Sequence, residues 1–432
     1  MDIAVIDTGV APVLGLAGKI INGPDLSLDN PYTSIHSVDV YGHGTHLASI
    51  AAGLDPGTKD LSDSAKFVGV APGSRIVNVR VGAFDGSVDV SQVIAGIDWV
   101  VQHRHDNGMN IRVISLAFGT QSALPYWDDP LSWATEVAWR KGIVVVAAAG
   151  NAGTTSNVTM PALNPRIIAA GAVDQTMSTP TPFTSAGGMR KPDLFAPGAH
   201  ILGLRVPGSF IDSRFPSARV GARLTRGSGT SQATAVVAGA AALLASKYPA
   251  SSPDQIRAAL IFSGSDVSGN NWGNFIQLDK ASDKLDEWGP AKSIESNTII
   301  GGPYGTGSLE AARGGQHLTA NGVTLNGEKD IMGKAWDGKA WSAAVWSGAS
   351  WTGGQWNGAT WTGASWTGAS WTGASWSSIG FAGASWTGAS WTGASWTGAS
   401  WTGASWTGAS WTGASWTGAS WTGANWLGAY WG

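Results

Sequence analysis

The chain has 432 residues, a net charge of −3 and only 13% charged side chains, which excludes the broad basic face that nucleic-acid binding requires. Cysteine is absent, so disulfides, a thiol nucleophile and a thiolate metal site are excluded as well. No apolar run reaches the length of a membrane span; the longest, Ala235 to Ala245, belongs to a helix considered below.

In chain order, Ile3-Ala4-Val5-Ile6 reads as a buried parallel strand with Asp7 at its carboxyl end, where open α/β sheets place their sites. Gly42-His43-Gly44-Thr45-His46 opens an apolar stretch, Leu47 to Ala52, that reads as a helix; the glycines let other backbone approach His43. Arg75 to Val81 reads as a strand. Ser91 to His105 has helical spacing through Val93, Ile94, Ile97, Val100 and Val101. Ile111 to Leu116 and Ile143 to Ala148 are predicted buried strands on either side of a helix over Trp133 to Arg140, and Ile167 to Val173 is a further strand. Strands alternating with helices imply an α/β fold, a parallel sheet covered on both faces. Gly229-Thr230-Ser231 stands at the mouth of a long apolar helix through Leu244. The first N–H groups of such a helix lack intrahelical partners, carry the positive end of its dipole and suit an oxyanion.

Serine is a weak nucleophile until a base activates it and an acid orients the base. Taken singly, the candidates have plainer readings. Asp7 reads as a cap or turn residue, Ser231 as an N-cap, Asn151 after Gly150 as a turn residue, and His43 with His46 as a metal pair short of a third ligand. The ordered set Asp7, His43, Ser231 carries the chemical reading.

That set resembles the subtilisin-like serine peptidases over roughly residues 1 to 315, whose order is acid, base, serine. Val5-Ile6-Asp7-Thr8-Gly9 is similar to the family's aspartate block, His43-Gly44-Thr45-His46 to its histidine block, and Gly229-Thr230-Ser231 with Ala233 to its serine block. Ala148-Ala149-Gly150-Asn151 resembles the strand end carrying the oxyanion-hole asparagine. Ser115-Leu116-Ala117 resembles the segment that pairs with substrate backbone, and Asp85-Gly86-Ser87 the opposite edge of the cleft. Lys191-Pro192-Asp193 and Ala196-Pro197-Gly198 are further landmarks. The resemblance implies endopeptidase chemistry through Asp7, His43 and Ser231 and an acyl-enzyme, with Asn151 in the oxyanion hole. Ser115, Leu116, Ala117, Gly86 and Ser87 would contact a protein or peptide substrate. It implies no cofactor for the chemistry and an extracellular setting. Family members often bind structural calcium, for which Asp55, Asp60 and Asp63 are candidates, although no cage motif is present. The chain departs from the family at Gln232, Ala235 and Val236, which replace Met, Pro and His after the serine. Six residues precede Asp7, which reads as an N-terminal truncation. The other class of function is a structural or adhesive protein using the same domain as a scaffold.

From Trp336 to Trp431 an aromatic recurs every fifth residue, twenty positions in all, each Trp except Phe381. The unit Ala-Ser-Trp-Thr-Gly fits neither the helical nor the strand period. It resembles pentapeptide repeats, which wind four-sided β-helices; twenty units would then form about five coils. A disordered tail and an exposed Trp array are the competing readings. After Lys339 the tail has no charged side chain and no His, so its role is binding, assembly or spacing, with cell wall or a second copy as partner. The expected division is a catalytic domain over 1–315, a linker or short strand segment over 316–335 and the repeat over 336–432.

Overall fold

A computed structural model describes residues 1–29, 35–174, 176, 179–188, 190–267, 273–289, 292, 294, 304–320, 323–352, 355–356 and 359–360, and beyond these the strand residues of the repeat. Its centre is one sheet built from β1 (Asp2–Asp7), β2 (Ile20–Asp25), β3 (Arg75–Arg80), β4 (Ile111–Leu116), β5 (Val144–Ala148), β6 (Ile168–Val173) and β7 (Leu194–Pro197), all parallel. A small antiparallel group, β8 (Ile201–Leu204), β9 (Arg219–Val220) and β10 (Leu224–Gly227), stands apart. The pair β11 (Ser265–Asp266) and β12 (Asn274–Phe275) extends the sheet beyond β7. The strand order is β11-β12-β7-β6-β5-β4-β1-β3-β2. From β1 the chain first builds outward on one side and then, from β4, on the other. The carboxyl ends of β1 and β4 therefore flank a topological switch point, where such sheets open a crevice.

Nine helices are described: α1 (His43–Ala52), α2 (Val90–His103), α3 (Pro130–Arg140), α4 (Phe210–Arg214), α5 (Thr230–Lys247), α6 (Pro253–Ser263), α7 (Leu278–Trp288), α8 (Leu309–Arg313) and α9 (Gly338–Ser347). Two glycines show how they divide between the faces. A Cβ on Gly96 of α2 would lie 3.2 Å from the Ile6 side chain, and one on Gly44 of α1 would lie 3.2 Å from the Asp7 Cβ. Successive strand residues point to opposite faces, so α1 and α2 cover opposite faces of β1. Helix α5 packs with α1 and crosses β4 to β7, while α3 packs with α2. Local chemistry fixes the starts. Asp89 and Gln92 form a capping box on α2, Ser252 and Gln255 one on α6, and Asp129 caps α3 ahead of Pro130.

The strands and helices read from the sequence are all present, within a few residues of their expected limits; α4 and α6 to α9 carried no such expectation. Between 316 and 335 a two-strand hairpin forms, Thr319–Ala320 with Val323–Thr324. The first repeat units depart from a uniform period. The stretch from Lys339 to Ser347 has no glycine, is rich in alanine and is capped by Asp337, so it folds as α9. Short antiparallel strands follow, Trp351–Thr352, Gln355–Trp356 and Ala359–Thr360. From Ser365 to Thr412, each three-residue strand pairs in parallel with the strand twenty residues later. Ser365–Thr367 meets Ser385–Thr387, then Ser405–Thr407, then Asn425–Leu427. Four such ladders are described.

Candidate active site

Asp7 ends β1 at the switch point, and its Oδ1 accepts the Thr8 N–H at 2.8 Å. Gly42, at φ +104°, turns the chain so that His43 is the first residue of α1. His43 Nδ1–H then donates to Asp7 Oδ1 at 2.8 Å. The acid's side chain is 5% exposed and the imidazole 25% exposed, so the ring keeps one edge toward the cleft. Gly44 lies against the Gly9 carbonyl and Asp7; any side chain there would force acid and base apart.

Sequence reasoning missed Asp39. Wholly buried, it accepts the Gly42 N–H at 2.6 Å, the Thr45 N–H at 2.7 Å and the Thr8 hydroxyl at 2.9 Å. It thus ties the start of α1 to the residue after Asp7. Burial, above all, pushes its carboxyl up; the hydrogen bonds from Gly42 and Thr45 lower it, and the Asp7 charge raises it. An aspartate just ahead of a helix was its sequence signal, and that reads as a cap. On His43, burial is the largest influence and lowers the pKa. The charge and hydrogen bond of Asp7, with the charge of Asp39, outweigh it and raise the imidazole above 6.5.

On the far side of the crevice, the Gly229 N–H is held by the Gly198 carbonyl at 2.8 Å, and α5 starts one residue later. Ser231 is 8% exposed. The Thr230 N–H and hydroxyl donate to Asn151 Oδ1 at 2.8 and 3.0 Å. An N–H can only donate, so the carbonyl end of Asn151 faces Thr230 and Nδ2 is turned away as a donor. Gly150, at φ +109°, makes the turn that permits this, and its N–H donates to Thr230 Oγ1 at 3.1 Å. The Ser231 N–H has no acceptor among the described residues. Asn151 Nδ2 and the Ser231 N–H are thus both left as donors without an acceptor among the described residues. No hydrogen bond joins His43 to Ser231 among the described residues; such contacts commonly tighten only when substrate binds.

Ser115 and Leu116 lie within β4, both buried, with Ser115 paired to Val5 of β1 and Val146 of β5. Ala117 to Gly119, just beyond the sheet, are half-buried. Gly86 and Ser87 sit in a turn held by Asp85, whose Oδ1 accepts the Ser87 N–H at 3.0 Å, and the turn packs on the Tyr41 ring. His46 does not join His43. It is 4% exposed, neither ring nitrogen has a partner, and burial drives its pKa down to about 3. The calcium candidates are otherwise engaged. Asp55 pairs with Arg223 at 2.5 Å, Asp60 accepts the Ser62 N–H and Asp63 that of Ala65. No group of three or more His, Asp or Glu side chains fit to hold a metal occurs among the described residues.

An open parallel α/β sheet, with an acid–imidazole pair at its switch point and a serine at a facing helix mouth, defines a class that comparison makes specific. The Subtilase family model, Peptidase_S8, matches residues 1–277, and the chain belongs to that family. It is 37% identical over 275 residues to serine protease AprX of Bacillus subtilis (strain 168), a match covering 60% of each chain. It is 36% identical over 268 residues to thermitase of Thermoactinomyces vulgaris, covering 62% of this chain and 82% of thermitase. A crystal structure of a cold adapted subtilisin-like serine proteinase superposes with a TM-score of 0.50 and 28% identity, covering 63% of this chain and 87% of that one.

Proposed function

We propose that the chain is a serine endopeptidase working through Asp7, His43 and Ser231. Ser231 Oγ attacks the scissile carbonyl as His43 Nε2 takes its proton, giving a tetrahedral oxyanion held by Asn151 Nδ2 and the Ser231 N–H. Collapse breaks the C–N bond, and His43 returns the proton to the leaving amine; water then hydrolyses the acyl-enzyme by the same route. Asp7 keeps the imidazole in one tautomer and stabilises its charged form. The observation that carries the reading is the 2.8 Å Nδ1–H···Oδ1 bond, which leaves Nε2 as the basic nitrogen. No cofactor enters these steps.

An extended peptide pairs with the backbone from Ala117 onward, with Gly86 and Ser87 across the cleft. The preferred residue before the cut is large and apolar. The setting is extracellular, as the family resemblance implies; no helix among the described residues is long and apolar enough to cross a membrane. The repeat serves binding or assembly, on a wall polymer or another copy. Its twenty-residue ladders support a four-sided coil. A peptide library incubated with the chain and with Ser231→Ala tests the enzyme reading: cleavage lost in the variant supports it. Equal cleavage, or none by a folded chain, favours the scaffold. A profile selecting Arg, Lys or Asp before the cut refutes the specificity.

A further inference from the structure

The first five Trp units play no part in the chemistry, yet the subtilase fold engages each of them. Trp336 donates its indole N–H to the Gly307 carbonyl at 3.3 Å. Trp341 and Trp356, both wholly buried, donate theirs to one oxygen, Asp98 Oδ2, at 2.9 and 2.7 Å. Trp346 stacks on Trp133 with centroids 5.9 Å apart, and the Arg140 guanidinium lies 5.4 Å from its ring centroid. Trp351 donates its indole N–H to the Ala95 carbonyl and its backbone N–H to Gln102 Oε1, both at 2.9 Å. Five residues turn a helix by about 140° beyond a full turn. Trp341 and Trp346 of α9 therefore face different neighbours, α2 and α3.

Asp98 gives this contact its meaning. It lies in α2 between Ile97 and Trp99 and is wholly buried. Its hydrogen bonds come from indoles, which donate and never accept. A buried carboxylate needs donors, and buried indole N–H groups need an acceptor; neither side is satisfied without the other.

We propose that the α2–α3 surface around Asp98 is a receptor for this chain's own Trp336–Trp356 segment, with Asp98 setting its register. The repeat is thereby fixed to the subtilase domain on the sheet face opposite Asp7, and the domain's effective end moves to about residue 356. The first long ladder then starts beside β2, the sheet's edge strand, so the domain covers an edge that would otherwise be open. None of this depends on the enzyme reading.

The contact is also sensitive to pH. Burial is the largest influence on Asp98 and pushes its carboxyl up to about 7, against the indole hydrogen bonds of Trp356 and Trp341 and the influence of the nearby Ser350 hydroxyl, itself without a hydrogen-bond partner. Asp98 Oδ1 has no partner at hydrogen-bond distance. Among the described residues no cation offsets the charge. His103 bonds the Trp99 carbonyl, Arg140 pairs with Glu136, Arg313 pairs with Asp89, and Lys339 is exposed. The contact is tightest in acid, where Asp98 is neutral whether docked or released, and loosens as pH rises from 3.8 to about 7.

Lys339 is the last Lys or Arg of the chain, so trypsin releases residues 340–432 as one fragment. The test is the rate of that release from the full chain carrying Ser231→Ala, which removes self-digestion, normalised to cleavage of an unfolded peptide at each pH. The expected result is slow release at pH 6, at least about tenfold faster with Asp98→Leu. Asp98→Asn, which keeps an acceptor without the charge, should release more slowly than the parent at pH 6 and lack the acceleration the parent shows between pH 6 and 8. Should Asp98→Leu fail to fold, Trp356→Phe keeps an aromatic ring, though a smaller one, removes the N–H and should also release faster. Prompt release from the parent at pH 6, or rates unchanged in the folded variants, would overturn the proposal.

Discussion

Asp7 and Asp98 are buried carboxylates on opposite faces of one sheet, and their partners separate them. Asp7 accepts from an imidazole, which can carry a proton's charge; Asp98 accepts from two indoles, which cannot. The first pair can pass between neutral and charged forms without moving a heavy atom, as general-base catalysis requires. The second can only hold or let go. Burial of an acid therefore does not mark a catalytic site; the partner's own titration does.

The comparison is sharpened most by removing what the first carboxylate serves. Ser231→Ala should cost about 10⁶ in kcat, a figure that is subtilisin's own, with folding unchanged by circular dichroism; residual activity near the parent's would break the assignment. Asn151→Leu removes one oxyanion donor and should cost roughly 3 kcal/mol in kcat, again subtilisin's figure, with little change in KM. A loss confined to KM would place Asn151 in ground-state binding. On the other face, Asp98→Leu strands two buried indole N–H groups and should cost about 2–4 kcal/mol of stability in urea titration, with kcat/KM of the surviving folded enzyme near the parent's.

The pH profiles of the two faces differ in what they measure. In the proposed mechanism His43 must be neutral to act, so kcat/KM should rise with pH through a value above 6.5. Asp39→Asn deletes a charge that raises that value and should move the acid limb slightly lower; an unmoved limb would contradict the electrostatic role given to Asp39. For stability, a raised imidazole stabilises the fold below 6.5, and that contribution is lost as pH passes its folded value. Asp98, raised from 3.8 to about 7, acts in the same direction. Its contribution is full in acid and falls by roughly 4 kcal/mol as pH rises through that window, at about 1.4 kcal/mol per unit. Thermal midpoints of the Ser231→Ala chain should fall between pH 4 and 8, and Asp98→Asn should flatten the curve.

Much of the cleft face was legible in the sequence because its signals are local. Apolar runs ending in Asp7 or Leu116, and a glycine-flanked histidine opening a helix, state their own structure. Asp39 was not legible, since its role depends on Thr8, thirty-one residues away. The fit of Asn151 to Thr230 likewise spans 79 residues. The back face was hidden by its own regularity. The five-residue period reads as one uniform region from Trp336 onward, with its architecture left open among three readings, whereas the glycine-free stretch inside it takes a helix. Its indoles required partners, and nothing in the spacing pointed to Asp98, 243 residues before Trp341.

The most direct test of the central claim is covalent labelling of the full chain with a fluorophosphonate, located by mass spectrometry. Label on Ser231, absent from a Ser231→Ala control and weakening as pH falls below the His43 value, is the result expected of an assembled Asp7–His43–Ser231 site. A folded chain that leaves Ser231 unlabelled while other serines react would contradict it.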